Sequence, residues 1–180
     1  APLITLSALT RHRLENEALV YRAAEARLPT QLAGELRTFV YRSRLHHGEH
    51  LALVKGEIAP DKPVLTRVQP EFTFADVFGG DNPPSRAQIK RSLQAIGERE
   101  CGVFVYLRRA SEGQLSSQIS RWEQRFNEKP ASMMREYGLG AQILRDLGVR
   151  KVELLTGSKK NLVGLKTFGI EIVSQLPLPL

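Results

Sequence analysis

The clearest candidate for chemistry in this sequence is a short turn that carries two lysines. The apolar run Val152–Thr156 is typical of a buried strand, and it continues directly into Gly157-Ser158 and the pair Lys159-Lys160. A strand that passes through a small turn into a helix points free backbone N–H groups and the positive end of the helix dipole at one spot. The turn is therefore a candidate phosphate site. Its spacing is not that of a Walker motif, so an ordinary solvated turn stays open as the alternative.

A second group of candidate ligands is the histidine-rich segment around residue 48. His46, His47 and His50 lie close together, and neutral imidazole is a common metal ligand. However, Gly48 interrupts the segment and a predicted strand follows it, so nothing holds these imidazoles on one helical face. The sequence favours a polar loop here over a metal site.

Cysteine usage argues against a thiolate metal site. A catalytic zinc needs three protein ligands, and thiolate ligands usually come as closely spaced cysteines. The chain has one cysteine, Cys101, which leads into an apolar run and is predicted to be a small buried hydrophobic residue. Because a single thiol forms no disulfide within the chain, we expect a reducing, cytoplasmic location.

Composition bounds the class of protein. With 180 residues, 42% of them hydrophobic, the chain can bury an ordinary core without a metal or a disulfide. No apolar run approaches the length of a membrane span and no signal-peptide pattern is present, so we expect no membrane association. The net charge of +7 suits an anionic partner. It is scattered along the chain without the interleaved aromatic residues of single-strand binders, so we expect no specific nucleic-acid binding.

Periodicity and punctuation predict an α/β protein. Strand and helix alternate from Ser85 onward, which indicates an α/β layer joined to an earlier antiparallel portion. Ser85 is a plausible helix cap, and Gly148 a helix stop. The spacing of Leu115, Ile119, Trp122 and Phe126 predicts one apolar helix face, with Trp122 in the core. Helices are predicted over residues 5–27, 85–96, 115–129, 131–147 and 160–167, and strands over 35–42, 50–56, 63–68, 103–107, 151–156 and 170–174.

Several segments, taken together, resemble the GTP cyclohydrolase II family of riboflavin biosynthesis, in the form fused behind 3,4-dihydroxy-2-butanone 4-phosphate synthase. The matching segments are residues 49–56, 64–68, 147–149, 154–160 and 168–173, and Ala23–Thr30 resembles the join between the two halves of such fusions. The resemblance covers nearly the whole chain. It implies a GTP cyclohydrolase II-like mixed sheet flanked by helices over residues 29–180, preceded by a linker helix over residues 1–28 from an upstream synthase domain.

The same resemblance implies where the family's zinc chemistry would lie. The three zinc cysteines of the family fall on Phe72, Pro83 and Ser85, and none of these binds zinc as a thiolate does. The family's general-base Asp falls on Met133, whereas its nucleophilic Arg is kept as Arg135. We therefore expect no metal site and no zinc, with Arg135 left as a catalytic position that no longer functions.

The resemblance also implies a nucleotide-binding set, part of which is altered. The family residues that hold GTP are matched by Arg67, Glu71, Gln88, Thr156 and Lys160. A Glu-Gly-Arg stretch that follows the central strand in the family is not intact here and is matched only loosely by Ser111–Gln114. The segment from there to Met133 is shorter than in active members. A portion of the family's substrate site is therefore missing.

These substitutions predict a domain without GTP hydrolase activity. It would give structural or dimerisation support to a covalently attached 3,4-dihydroxy-2-butanone 4-phosphate synthase, a lyase, and would itself form a homodimer as family members do. One alternative is a regulatory module that binds GTP or another phosphorylated ligand. A second is an active GTP cyclohydrolase II with atypical ligands drawn from His46, His47, His50 and Glu71.

Overall fold

The computed structural model describes residues 8, 9, 12, 16–44, 48–80, 84–108, 114–124, 130–157, 165 and 169–178. These residues form one mixed sheet with helices against both faces. The strands are β1 (Val20–Thr30), β2 (Gly34–Ser43), β3 (Glu49–Lys55), β4 (Pro63–Pro70), β5 (Gly102–Leu107), β6 (Lys151–Thr156) and β7 (Glu171–Pro177). The helices are α1 (Thr73–Asp76), α2 (Ser85–Gly97), α3 (Gln114–Gln124) and α4 (Pro130–Asp146).

The sheet has an antiparallel half and a parallel half. Its strand order is β1-β2-β3-β5-β4-β6-β7. The pairs from β1 through β3 to β5 are antiparallel, whereas β5, β4, β6 and β7 pair in parallel. This confirms the predicted union of an antiparallel portion with an α/β layer. Helices α1 and α2 lie between β4 and β5, and α3 and α4 lie between β5 and β6, because a parallel crossover needs a long connection.

The core lies on both sides of the sheet. On one face, Ile143 and Leu144 of α4 pack in a cluster with buried residues of β2, β3 and β5. On the other face, Ile96 of α2 packs with Phe104 and Leu155. The central strand β4 is buried continuously from Val64 to Gln69, as expected for a parallel strand covered on both faces. Polar side chains on β4 are therefore held in fixed positions.

The predicted helix over residues 5–27 is wrong from Val20 onward. The described residues Ala8, Leu9, His12 and Asn16 are helical, but Val20–Thr30 is strand β1 and pairs antiparallel with β2. Both faces of β1 are largely exposed, so its sequence carries no alternation of apolar and polar residues. Pairing with β2 overrides the helical preference of its alanines and charged residues. The division of the chain at residue 28 stays a prediction.

Helix α3 exists where it was predicted, but its buried position differs from the expected one. Leu115 and Ile119 are 54% and 48% exposed, whereas Gln118 between them is fully buried. The side chain of Trp122 and residue Phe126 lie outside what the structure describes. Gln118 accepts a hydrogen bond from the backbone N–H of Thr73, which fastens α3 to α1.

Other predictions hold with small changes. Gly148 follows α4 with a positive φ of 87°, as a helix stop requires. Cys101 is half-buried against the core, and burial raises the pKa of its thiol. Of the predicted helix over residues 160–167, only Leu165 is described, as a buried helical residue. Among the described helices, none combines the length and apolar character needed to cross a membrane.

Tyr41 links β2 to the end of α4 by a hydrogen bond. Its phenol is expected to make the free energy of unfolding depend on pH in the alkaline range. Its side chain is fully buried, and its hydroxyl donates a hydrogen bond to Asp146 Oδ2 at 2.6 Å. Burial first, and then Asp146, raise the pKa of the Tyr41 phenol well above its ordinary value of 10.0. The folded protein keeps this proton at a pH where the unfolded chain releases it.

We therefore predict that the free energy of unfolding falls as the pH rises above about 10, because the unfolded state then binds fewer protons than the folded state. Tyr41→Phe should make this decline shallower. Urea denaturation over a series of alkaline pH values measures it, with Tyr21→Phe, which removes an exposed phenol, as the matched control. Equal slopes for the wild type and Tyr41→Phe would contradict the prediction.

Candidate functional site

The candidate site lies at the carboxyl edge of the parallel strands. In open α/β sheets, ligands bind in the crevice outside the carboxyl ends of the strands. Here β4, β5 and β6 end side by side, at Pro70, Leu107 and Thr156. Helix α2 begins at the same edge, because the loop after β4 leads into it. Polar residues at the end of β4 and the start of α2 are therefore brought together.

Arg67 is the central cation of this edge. It lies on β4, and its side chain donates hydrogen bonds to three partners. Nη1 reaches the Leu155 carbonyl oxygen at 3.1 Å, Nη2 reaches Gln88 Oε1 at 3.3 Å, and Nε reaches Gln69 Oε1 at 3.1 Å. The structure therefore places two of the residues predicted from sequence, Arg67 and Gln88, in direct contact.

The end of β6 completes the same edge. Thr156, also predicted from sequence, directly follows Leu155, whose carbonyl oxygen binds Arg67. A Cβ built on Gly157 would lie 3.8 Å from Gln88 Nε2, so Gly157, the first residue after β6, sits beside Gln88 of α2. The binding role of these residues stays a prediction.

The structure describes only some of the remaining residues predicted from sequence. Glu71 is half-buried just after β4, and its carboxylate accepts a hydrogen bond from Thr73 Oγ1 at 3.3 Å. Arg135 lies in α4, and its side chain is not described. Lys160 lies outside the described residues, as do His46, His47 and Pro83. His50 is buried in β3 of the antiparallel half.

A half-buried carboxylate that sequence reasoning missed organises the other side of the edge. Asp76, the last residue of α1, accepts hydrogen bonds from the Phe72 backbone N–H at 2.8 Å and from the Tyr106 hydroxyl at 2.5 Å. The Ser85 hydroxyl also donates to Asp76, and Gln69 Nε2 donates to Ser85 Oγ at 3.0 Å. Hydrogen bonds thus run without a break from Tyr106 to Arg67. We call this set the Asp76 network: Tyr106, Asp76, Ser85, Gln69 and Arg67.

The Asp76 network corrects one prediction and perturbs one pKa. Ser85 was predicted to cap α2, but the cap is Pro84, and Ser85 is a fully buried first helical residue turned toward Asp76. Burial, followed by the hydrogen bond to Asp76, raises the pKa of the Tyr106 phenol. The alternation of β4 placed Arg67 and Gln69 on one face, which is the one signal in the sequence that pointed to this contact.

The Ser85 corner, by which we mean Phe72, Asp76 and Ser85 with their hydrogen-bond partners, does not fit a thiolate zinc site. Phe72 has no side-chain atom that binds a metal. Ser85 Oγ is fully buried and already bonded to Asp76 and Gln69. Within the described ranges, no group of three or more His, Cys, Asp or Glu side chains is arranged to hold a metal ion. The Asp76 carboxylate is occupied by hydrogen bonds from the Phe72 backbone and from the hydroxyls of Ser85 and Tyr106.

Comparison with known proteins identifies the family. The sequence model of GTP cyclohydrolase II matches residues 21–177. The chain therefore belongs to the GTP cyclohydrolase II family, which confirms the resemblance seen in the sequence.

Its curated relatives are proteins of riboflavin biosynthesis. The chain is 38% identical to the riboflavin biosynthesis protein RibBA of Aquifex aeolicus, over 98% of this chain and 46% of that protein. It is also 38% identical to the bifunctional riboflavin biosynthesis protein RIBA 1 of Arabidopsis thaliana, over 98% of this chain and 34% of that protein. The chain thus spans less than half the length of these two relatives.

A solved structure confirms the fold. RibBX of A. baumannii, a two-domain 3,4-dihydroxy-2-butanone 4-phosphate synthase, superposes with a TM-score of 0.65 and 27% sequence identity. The superposition covers 94% of this chain and 44% of the RibBX chain. The mixed sheet flanked by helices is therefore a GTP cyclohydrolase II-like fold.

Proposed function

We propose that this domain does not hydrolyse GTP and instead supports a covalently attached 3,4-dihydroxy-2-butanone 4-phosphate synthase domain. The observation that carries the proposal is the corner around Ser85. Two of the three positions that the family resemblance assigns to zinc cysteines, Phe72 and Ser85, hold a phenyl ring and a buried hydroxyl that is already hydrogen-bonded. We therefore also propose that the domain holds no zinc.

The energetics of the reaction support the loss of activity. A metal-bound water becomes a nucleophile near neutral pH because the metal lowers its pKa from about 15.7 to about 7. A general base adds roughly 100-fold to 10,000-fold to a rate, and the family's base position is Met133 here. A chain without either group has no means of making or placing hydroxide at neutral pH.

The relatives support the attached partner. The chain spans under half of RibBA and RIBA 1, and it covers 44% of a two-domain synthase whose fold it shares. An attached synthase domain upstream of this chain would account for the greater length of these proteins.

We further propose that the domain forms a homodimer. The long exposed strand β1 and the exposed apolar residues of α3 leave surface available for such contacts.

The direct test is to purify the protein from zinc-supplemented cultures, and then to measure bound zinc by elemental analysis and formate release from GTP at high protein concentration. We expect zinc far below one atom per chain and turnover at least about 100-fold below that of an active family member assayed in parallel. Stoichiometric zinc together with formate release would overturn the proposal and favour the active-enzyme alternative.

A second candidate function is a nucleotide-binding regulatory module. The observation that favours it is the contact of Arg67 with both Gln88 and the end of β6, at the edge where ligands bind in this fold class. The buried guanidinium is a fixed positive charge, and planar guanidinium groups suit phosphate oxygens. Binding of GTP or another phosphorylated ligand requires neither the metal nor the base.

Thermal-shift titration with GTP and GDP tests this second function. A saturating ligand at about 100 times its Kd adds roughly 2.7 kcal/mol of stability, which raises Tm by roughly 5–10 °C for a domain of this size. Arg67→Met should abolish the saturable shift. Arg86→Met removes the same charge from an exposed position on α2 and should keep it. The absence of any saturable shift in the wild type would exclude the nucleotide-binding function.

A further inference from the structure

We propose that the Asp76 network replaces a metal as the cross-link of this corner, and that it sets the position of the Arg67 guanidinium at the carboxyl edge. The second half of the proposal rests on the nucleotide-binding function above; the first half does not.

The first step of the argument is the number of elements that Asp76 connects. The carboxylate belongs to α1, and its three donors come from the segment before α1, from the first residue of α2 and from β5. Two oxygens thus tie the start of α2 and strand β5, which lie 9 and 30 residues further along the chain, to the segment around α1. Hydrogen bonds to an ionised carboxylate are roughly twice as strong as those between neutral groups. A metal with ligands from the same segments would perform the same mechanical task.

The second step is the burial of Ser85. Its hydroxyl is fully buried and has two hydrogen-bond partners inside the protein, as most buried polar groups have. It donates to Asp76 and accepts from Gln69, which uses both its donor and one acceptor position. To bind a metal ion, this hydroxyl would have to give up hydrogen bonds that it already makes. The serine therefore suits a metal-free corner.

The third step connects this corner to Arg67. Gln69 donates one amide hydrogen to Ser85, and its Oε1 accepts hydrogen bonds from both Nε and Nη2 of Arg67. The Ser85 hydroxyl orients the Gln69 amide together with the Pro70 carbonyl oxygen, which accepts from Gln69 Nε2 at 3.2 Å. The Gln69 amide in turn orients the guanidinium, together with the contacts of Arg67 to Leu155 and Gln88. Ser85 and Asp76 are thus positioning residues for a cation that they do not touch.

The matched control lies on the same helix. Ser92 is fully buried in α2, as Ser85 is, but its hydroxyl has no hydrogen-bond partner among the described residues. Replacing either serine by alanine removes one buried oxygen from the same helix. The difference between the two variants therefore measures the hydrogen bonds of the Asp76 network and not the burial of a serine.

The experiment measures Tm of the 180-residue chain, with and without a chelator, for the wild type, Ser85→Ala and Ser92→Ala. We expect the chelator to leave the wild-type Tm unchanged. Ser85→Ala should lower Tm by roughly 5 °C, because a hydrogen bond to a charged group is lost, and Ser92→Ala should change it by less than about 2 °C. A chelator-induced fall in the wild-type Tm, or equal effects of the two serine variants, would overturn the first half of the proposal.

A titration with GTP tests the second half. Ser85→Ala should raise the Kd for GTP by roughly tenfold relative to the wild type, whereas Ser92→Ala should leave the Kd unchanged, although neither variant alters a charge. An unchanged Kd in Ser85→Ala would overturn the positioning role. If the wild type binds no GTP, the nucleotide-binding function and the positioning role fail together, whereas the cross-link is judged by the chelator and Tm results alone.

Discussion

The carboxylate of Asp76 joins the segment before α1, the start of α2 and strand β5 at one point of the carboxyl edge. It lies at the end of a four-residue helix, and it receives hydrogen bonds from the Phe72 backbone, the Ser85 hydroxyl and the Tyr106 hydroxyl. Short helices are marginal in water and need tertiary support. These hydrogen bonds contribute to it, together with the bond from the Thr73 backbone N–H to Gln118, and they hold the first residue of α2. The position of α2 in turn decides where Gln88 meets Arg67.

The two halves of the sheet have different consequences for function. The parallel half, with β4 buried on both faces, holds Arg67 and Gln69 rigidly and brings the ends of β4 and β6 to one edge. The antiparallel half ends in the β1–β2 hairpin, which contributes little to the core on its outer strand. The parallel half therefore holds the residues of the candidate site, whereas the exposed outer strand of the hairpin lies at the opposite side of the sheet from β6 and β7.

The sequence predicted most elements because their burial produces a clear pattern. Strands β4, β5 and β6 are largely buried and rich in Val and Leu, so they were found within two residues of their observed ends. Strand β1 was missed because both its faces are exposed and only its partner β2 makes it a strand. The burial of Gln118 on α3 was missed for a related reason. Its partner is a backbone N–H of Thr73, which no periodicity reveals.

The candidate site divides in the same way. Arg67 and Gln88 were identified from the family resemblance, and the structure brings them into contact. Asp76, Gln69 and Tyr106 carry no motif, and their roles depend on a loop conformation that brings residues 30 positions apart together. Ser85 was predicted to cap a helix because serine is common there. Its carboxylate partner became visible only in three dimensions.

A crystal structure of protein grown with excess zinc, with diffraction recorded above and below the zinc absorption edge, tests the central claim most directly. The account predicts no anomalous peak beside Ser85, and a Ser85 hydroxyl within hydrogen-bonding distance of both Asp76 and Gln69. An anomalous peak coordinated by protein atoms at this corner, with the contact between Ser85 and Asp76 broken, would contradict it.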